Sequence, residues 1–392
     1  MWKAVASNAL TFFIVFLVIA SGLLAWGRKE YSGPGPLADA MCFRVERGAT
    51  LSSVSRMLES SGVISDARIF RIGADYSGQG SGLKFGSYLL PAQTSMVGVL
   101  DIITAGGQST CGSEVNFRIG IASSDVILRE LDAATNRYVE VASFDPAVDA
   151  LPQPYLDAVE DLDLRYRVTL AEGVTSWQVV EMLRRAEFME GTVDEVPAEG
   201  SLAPDSYDVT RGGDRAALLA VMQERQAKTL AALWADRAPD LPYASPEEAL
   251  VMASIVEKET GIAEERRQVA SVFVNRLRKG MKLQTDPTVI YGVTNGEGIL
   301  GRGLRQSELR RETPYNTYVI AGLPPGPIAN PGRLSIEAAL NPDDTPFIFF
   351  VADGTGGHAF AVTLEEHNAN VAAWRKIEAQ RGQEGTTGVQ GN

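Results

Sequence analysis

At 392 residues the chain is long enough for two or three domains, and a hydrophobic content of 45% fits a globular body. Its formal net charge of -13 argues against a nucleic-acid partner, because neutralising phosphates takes clustered Lys and Arg. With two His, two Cys and no CxxC pair, the composition also argues against a structural zinc site.

No charged residue occurs from Ala4 to Gly27, and Leu10 to Ala25 is almost wholly apolar. As a helix the uncharged stretch spans roughly 36 Å, against about 30 Å of hydrocarbon core. Trp2 and Trp26 stand near its ends, where amphipathic rings favour the membrane interface. The pattern predicts a stub over 1–8 and a transmembrane helix over 9–27. A cleaved signal peptide is the competing reading, since Ala20-Ser21-Gly22 offers a small-residue site, yet the apolar run continues through Leu23, Leu24 and Ala25. Lys3 precedes the helix while Arg28 and Lys29 follow it, so charge alone does not orient it.

A Pro- and Gly-rich linker covers 28–41, and a compact α/β unit follows over 42–111. In that unit Phe43-Arg44-Val45 reads as a strand, Thr50 as the cap of a helix reaching Leu58, Tyr88-Leu89-Leu90 as a second strand and Ser95 as the cap of a last helix ending at Gly106. The Gly78 to Gly82 loop lacks the Gly-Lys-Ser/Thr of a phosphate cradle. Cys42 and Cys111 either pair in an oxidising compartment or stay free, and sequence does not choose.

Residues 112–166 read as an insertion: an alternating strand at Val115 to Ile121, a hairpin around Asn136, and an acidic, Pro-containing surface excursion from Asp145 to Asp163. A second small α/β segment occupies 167–210. Its Gly173-x-Thr175-x-x-x-Val179-x-x-Met182-Leu183 repeats Gly48-x-Thr50-x-x-x-Val54-x-x-Met57-Leu58. The repeat is either a paired glycan-binding surface or a shared strand-turn-helix geometry without a common ligand.

Over 211–380 helices dominate. Ala216 to Trp234 has helical spacing; Ser245-Pro246-Glu247-Glu248 starts a helix whose Ala249 to Val256 are apolar on nearly every side, and Gly261 is its expected stop. A further helix runs from Ala263 to Lys279 before Gly280, and 381–392 reads as a disordered tail. Arg266, Arg267, Arg276, Arg278, Lys279 and Lys282 form a basic stretch that either offsets carboxylates on a ligand or, more commonly for such runs, is a solvated helix face with Glu264 and Glu265.

Glu257, Lys258 and Glu259 end the buried helix. The helix dipole repels negative charge there, which with partial burial favours a neutral carboxylic acid, the form a general acid needs. Two helix-end glutamates paired with Lys258 and an Arg would look the same in sequence. Positions 257 and 259 are roughly 200° apart on a helix, so they do not form a two-carboxylate pair. Turn-rich runs at Leu283 to Thr288, Tyr315 to Tyr318 and Gly322 to Ile328 supply amides, hydroxyls and rings suited to a sugar cleft, or are ordinary loops. His358 reads as part of a hairpin, with the cleft rim as another location; His367 sits on a helix capped by Thr363, and no metal site is expected.

Together Met252 to Thr260, Ser271 to Leu277, Gln284 to Tyr291, Tyr315 to Tyr318, Gly322 to Gly326 and Phe350 to Gly354 resemble the MltG (YceG-like) family, endolytic murein transglycosylases of the bacterial inner membrane. The match keeps order and spacing over roughly 200–375; residues 43–107 resemble the family's LysM-like module more loosely, and the 112–166 insertion departs from shorter members. The resemblance implies an α+β protein with a single N-terminal transmembrane helix, one or two LysM-like α/β modules and a mixed α/β catalytic domain. It places the catalytic acid on Glu259, with Glu257 as second choice, and puts Gln284, Asp286, Tyr315 and Asn316 at the sugar. It implies peptidoglycan strands as substrate, no cofactor, a periplasmic body with residues 1–8 in the cytoplasm, and peptidoglycan synthases as possible partners. The alternative is a non-catalytic membrane-anchored scaffold that holds peptidoglycan.

Overall fold

The computed structural model describes residues 2–106, 109–161 and 163–387. The chain divides into two compact units, one of Met1–Val115, Ile127–Ser143 and Leu151–Arg165, the other of Asn116–Val126, Phe144–Ala150 and Tyr166–Asn392. The architecture is mixed α+β with one N-terminal apolar helix.

That helix, α1 (Trp2–Ser32), outlasts the expected span; its Leu10–Ser32 stretch is long and apolar enough to cross a membrane, and the apolar part of it is not buried against protein. It stops at Gly33-Pro34, where proline supplies no N–H and disfavours helical geometry in the residue before it. In the first unit β1 (Met41–Val45), α2 (Leu51–Ser60), α3 (Ala67–Tyr76) and β2 (Gly86–Leu90) follow, with β1 and β2 antiparallel from Met41↔Leu90 to Val45↔Gly86. Thr50 caps α2 through a capping box, and Asp66 caps α3 by accepting from the Arg68 and Ile69 N–H groups. Both helices turn one apolar face onto the strands and onto α4 (Met96–Thr104), burying Val54, Leu58, Phe70, Tyr88, Leu90, Val99 and Ile103. Each such side chain contributes roughly 1.5–3 kcal/mol on leaving water.

Cys42 of β1 is disulfide-bonded to Cys111, which settles the choice left open by sequence. The linker is docked to this unit: the Gly35 N–H donates to the Gln93 carbonyl (3.1 Å), the Gln93 N–H donates to the Leu37 carbonyl (2.9 Å), and Leu37 is buried. β3 (Ser113–Ile119), β4 (Ser124–Asp132) and β5 (Arg137–Phe144) follow, the last two joined through Asn136, which adopts a positive φ of 51°. The acidic stretch is largely exposed, in keeping with a surface excursion. It holds α5 (Gln153–Val159), and Asp161 forms a two-pronged ion pair with Arg44 at 2.9 and 3.0 Å.

Further along the chain come β6 (Arg165–Leu170), α6 (Ser176–Arg185), β7 (Met189–Glu190), β8 (Ser206–Val209) and β9 (Gly213–Asp214). β6 pairs antiparallel with β8, from Tyr166↔Val209 to Thr169↔Ser206. Thr175 caps α6 as Thr50 caps α2, and the preceding glycines, Gly173 and Gly48, both hold positive φ (79° and 75°). The repeat is therefore a true strand-turn-helix recurrence.

Next come α7 (Arg215–Ala235), α8 (Pro246–Glu259), a 3-10 turn (Ala263–Glu265) and α9 (Arg266–Arg278). Ser245 caps α8 as expected, and every residue from Ala249 to Val256 is buried. The helix does not stop at Gly261. It ends at Glu259 because Thr260 turns extended, with its hydroxyl accepting from the Ile262 N–H (3.0 Å). The basic stretch is not one solvated face: Arg266 and Arg276 are buried. The unit closes with α10 (Asp286–Thr294), α11 (Gln306–Arg310), α12 (Arg333–Leu340), the hairpin β10 (Phe349–Ala352) and β11 (His358–Ala361), and α13 (Leu364–Thr387). Residues 381–387 of the expected tail are thus helical, and 388–392 lie outside the described residues.

Candidate active site

The site gathers at the C-terminal end of α8. Burial of that helix on all sides fixes its last turn, and three consecutive residues leave it in different directions. Glu257 accepts from the Gly332 N–H at 2.9 Å, next to the start of α12. Lys258 donates to the Gly173 carbonyl at 3.2 Å; burial lowers its pKa, against the charges of Glu257 and Glu199. Glu259, half-buried, instead meets the loop before α10, where Thr285 donates its hydroxyl to Oε1. The two glutamates have separate partners, as their helical spacing required.

Burial pushes the Glu259 carboxyl up. The Thr285 hydrogen bond opposes that rise, the negative charge of Asp286 adds to it, and the neighbouring His358 and Arg276 oppose it. A carboxyl held up mainly by desolvation stays in its neutral, proton-donating form at higher pH than a solvated one.

The surroundings are preorganised. Thr285, Thr288 and Thr317 are buried and joined: the Thr285 N–H donates to Thr317 Oγ1 (3.0 Å), the Thr288 and Thr317 hydroxyls lie 2.9 Å apart, and Thr288 donates to the Thr285 carbonyl (2.8 Å). Asp286 accepts from the Tyr318 phenol at 2.6 Å, whose pKa is raised by burial first and by this bond second. Arg276 donates Nε to the Ile348 carbonyl (2.7 Å) and Nη1 to that of Leu283, so one cation ties two loops beside the carboxyl. His358 receives both oxygens of Glu265, through its backbone N–H (3.0 Å) and Nδ1 (2.8 Å).

The expected residues fare differently. Gln284 is exposed and holds φ at +51°, a left-handed conformation that is costly for a side-chain-bearing residue. Its N–H donates to the Thr317 carbonyl at 3.2 Å, and the adjoining Asp286 is exposed. Tyr315 packs instead on Tyr291, ring centroids 4.8 Å apart, in a group that includes Glu199. Asn316 is fully buried; its amide donates to the carbonyls of Glu308, Leu309 and Arg311 and accepts from the Tyr318 N–H, so both ends hold the loop and none is offered to a ligand. Sequence reading passed over Thr285, Tyr318, Arg276 and Glu265; the first two stand inside the quoted runs, but the pairings of the last two are formed across the fold. His367 stacks on Phe349 at 5.0 Å. Among the described residues no group of three or more His, Cys, Asp or Glu side chains is placed to hold a metal ion.

Fold and site together define a mixed α+β protein with one helix fit to span a membrane and a half-buried carboxyl set among hydroxyl donors. The chain belongs to the YceG-like family, whose model matches residues 43–373. It is similar to the endolytic murein transglycosylase of Bacillus subtilis, with 47% identity over 119 residues, covering 30% of this chain and 32% of that protein. It is similar also to the endolytic murein transglycosylase of Streptococcus pneumoniae, with 25% identity over 338 residues, 84% of this chain and 57% of that one. The alignments thus span at most little more than half of these curated relatives' length. A yceG-like protein of Listeria monocytogenes, solved by crystallography, aligns with 27% identity over 85% of this chain and 99% of that one, at a TM-score of 0.41.

Proposed function

We propose that this chain is an endolytic murein transglycosylase, with Glu259 as its catalytic acid and residues 211–380 as its catalytic domain. The observation that carries the reading is the Glu259 carboxyl, raised by burial and hydrogen-bonded to Thr285, at the end of a helix without a solvent face. Relatives named for that activity support the choice of substrate.

Glu259 gives its proton to the glycosidic oxygen between N-acetylmuramic acid and N-acetylglucosamine, and the bond from that oxygen to the muramoyl C1 breaks. The muramoyl C6 hydroxyl then bonds to C1, closing a 1,6-anhydro ring, and its proton passes to the Glu259 carboxylate. The cycle restores the acid without consuming water, which suits a single carboxyl. Gln284 and Asp286, exposed beside Thr285, are the residues we assign to sugar positioning, with Tyr318 orienting Asp286. Tyr315 shapes the cleft through Tyr291.

In this reading α1 anchors the chain in the bacterial inner membrane, residues 1–8 are cytoplasmic and the body is periplasmic. The Cys42–Cys111 disulfide supports an oxidising compartment. The strand-helix-helix-strand order of β1, α2, α3 and β2 supports a LysM-like module. Cleavage of nascent strands near the membrane would limit their length beside peptidoglycan synthases. The test is mass spectrometry of glycan strands digested by the purified protein: 1,6-anhydromuramoyl ends are expected, and reducing ends alone would overturn the assignment.

A further inference from the structure

Helix α1 continues past its apolar stretch and is fastened to α3. The Tyr31 ring lies against Gly73, so close that there is no room for a Cβ at that position. Glu30 accepts from the Ser65 hydroxyl, one residue before the cap of α3. Trp26, at the end of the apolar stretch, lies five residues before Tyr31, about 7.5 Å along a helix. One headgroup layer is about 5–8 Å deep, so Tyr31, and α3 with it, falls at headgroup level. Arg28 and Lys29, both exposed, occupy the same depth.

The solvent side of α3 has a matching composition. Arg68, Ile72 and Tyr76 follow one another at four-residue spacing on one face, with Ile72 69% and Tyr76 95% exposed. A Tyr, an Ile and an Arg in one stripe are what an interfacial helix uses: ring at the headgroups, aliphatic chain below, guanidinium on phosphate. Asp75 is the single acidic side chain of this helix, next to the stripe.

We propose that the Arg68–Ile72–Tyr76 face of α3 lies in the headgroup layer of the membrane that α1 spans, seating the first unit on the bilayer. The proposal rests on α1 being a membrane anchor. It is tested on the full chain with its native disulfide, carrying one added cysteine at Val18, Ile72 or Ala134, labelled with an environment-sensitive fluorophore. Each protein is placed one copy per nanodisc of phosphatidylethanolamine and phosphatidylglycerol, with nitroxide lipids spin-labelled at the headgroup or mid-chain. Headgroup quenching at Ile72 is expected to exceed that at Ala134 by about five-fold or more, with mid-chain quenching at Val18. Quenching at Val18 but not at Ile72 overturns the seat and leaves the anchor intact. Quenching at neither overturns both. An Ile72 signal protected without quenching by any nitroxide lipid assigns the face to a protein partner and also overturns the seat.

Discussion

Thr285 and Asp286 are neighbours in sequence and act on the Glu259 carboxyl with opposite sign: the hydroxyl of the first stabilises the ionised form, and the charge of the second disfavours it. The carboxyl therefore lies between two adjustable groups in a loop, on top of a larger desolvation set by the helix it terminates.

Replacing Glu259 with Gln removes the proposed proton donor while keeping the shape. Glycan cleavage should fall about 10²–10⁴-fold, the usual contribution of a general acid, measured by release of anhydro-ended fragments. Glu257→Gln retains an oxygen for the Gly332 N–H and should remain active. A fully active, folded Glu259→Gln protein would remove Glu259 from the chemistry.

The same substitution has a stability signature. The folded pKa of Glu259 is raised, so the native state binds its proton more tightly than the unfolded chain does. That contribution is complete below the unfolded carboxyl value and is lost as pH rises through the folded one. Glu259→Gln should accordingly melt higher than wild type at pH 8 and close to it at pH 4, which calorimetry at the two pH values would establish.

In the proposed mechanism Glu259 acts protonated, so the alkaline limb of the pH–rate profile is expected to follow its pKa. Asp286→Asn removes a repelling charge, lowers that pKa and should move the limb towards acid. Thr285→Val removes the donor and should move it towards alkali, at a stability cost of about 1 kcal/mol, with Thr285→Ser restoring the wild-type profile. Shifts in the same direction for both variants would contradict this account.

Asn330 is fully buried, donates to the Val174 carbonyl (2.9 Å) and accepts from the Leu202 N–H (2.9 Å). Asn330→Ala strands the Leu202 N–H, while the Val174 carbonyl keeps the backbone N–H of residue 330 (2.9 Å), and should destabilise by about 1–3 kcal/mol in urea unfolding. A loss confined to a few tenths would mean that water replaces the amide.

Cys42→Ser opens the bridge to Cys111, which closes a loop across a sequence separation of 69. Unfolding of the first unit should weaken by about 2–5 kcal/mol, read as a lower melting temperature under non-reducing conditions.

What the sequence made legible was local. The Thr50 and Thr175 caps, the Ser245 start of α8 and the opposed directions of Glu257 and Glu259 all follow from helical spacing and hydrogen-bonding capacity within a few residues. The disulfide, the burial of Arg276 and the Glu265–His358 pair depend on segments up to 93 residues apart, which no local pattern encodes. Turn-rich composition misled at Asn316, because a polar side chain that satisfies its own loop's carbonyls can be buried at little cost. Gly261 misled likewise, since the hydroxyl of Thr260 provided another way out of the helix.

The absence of a solvent face on α8 has a consequence for how this site can change. Every residue from Ala249 to Val256 fills space in a packed interior, so a change of size at one position demands a matching change in Phe273, Ala339 or another neighbour. The carboxyl at its end is thus carried by the least alterable part of the molecule, while Gln284 and Asp286 are exposed, with no packed neighbours to match in size. If the proposed sugar site is right, selection or engineering for a different sugar has its cheapest route through that loop, leaving the acid where it stands.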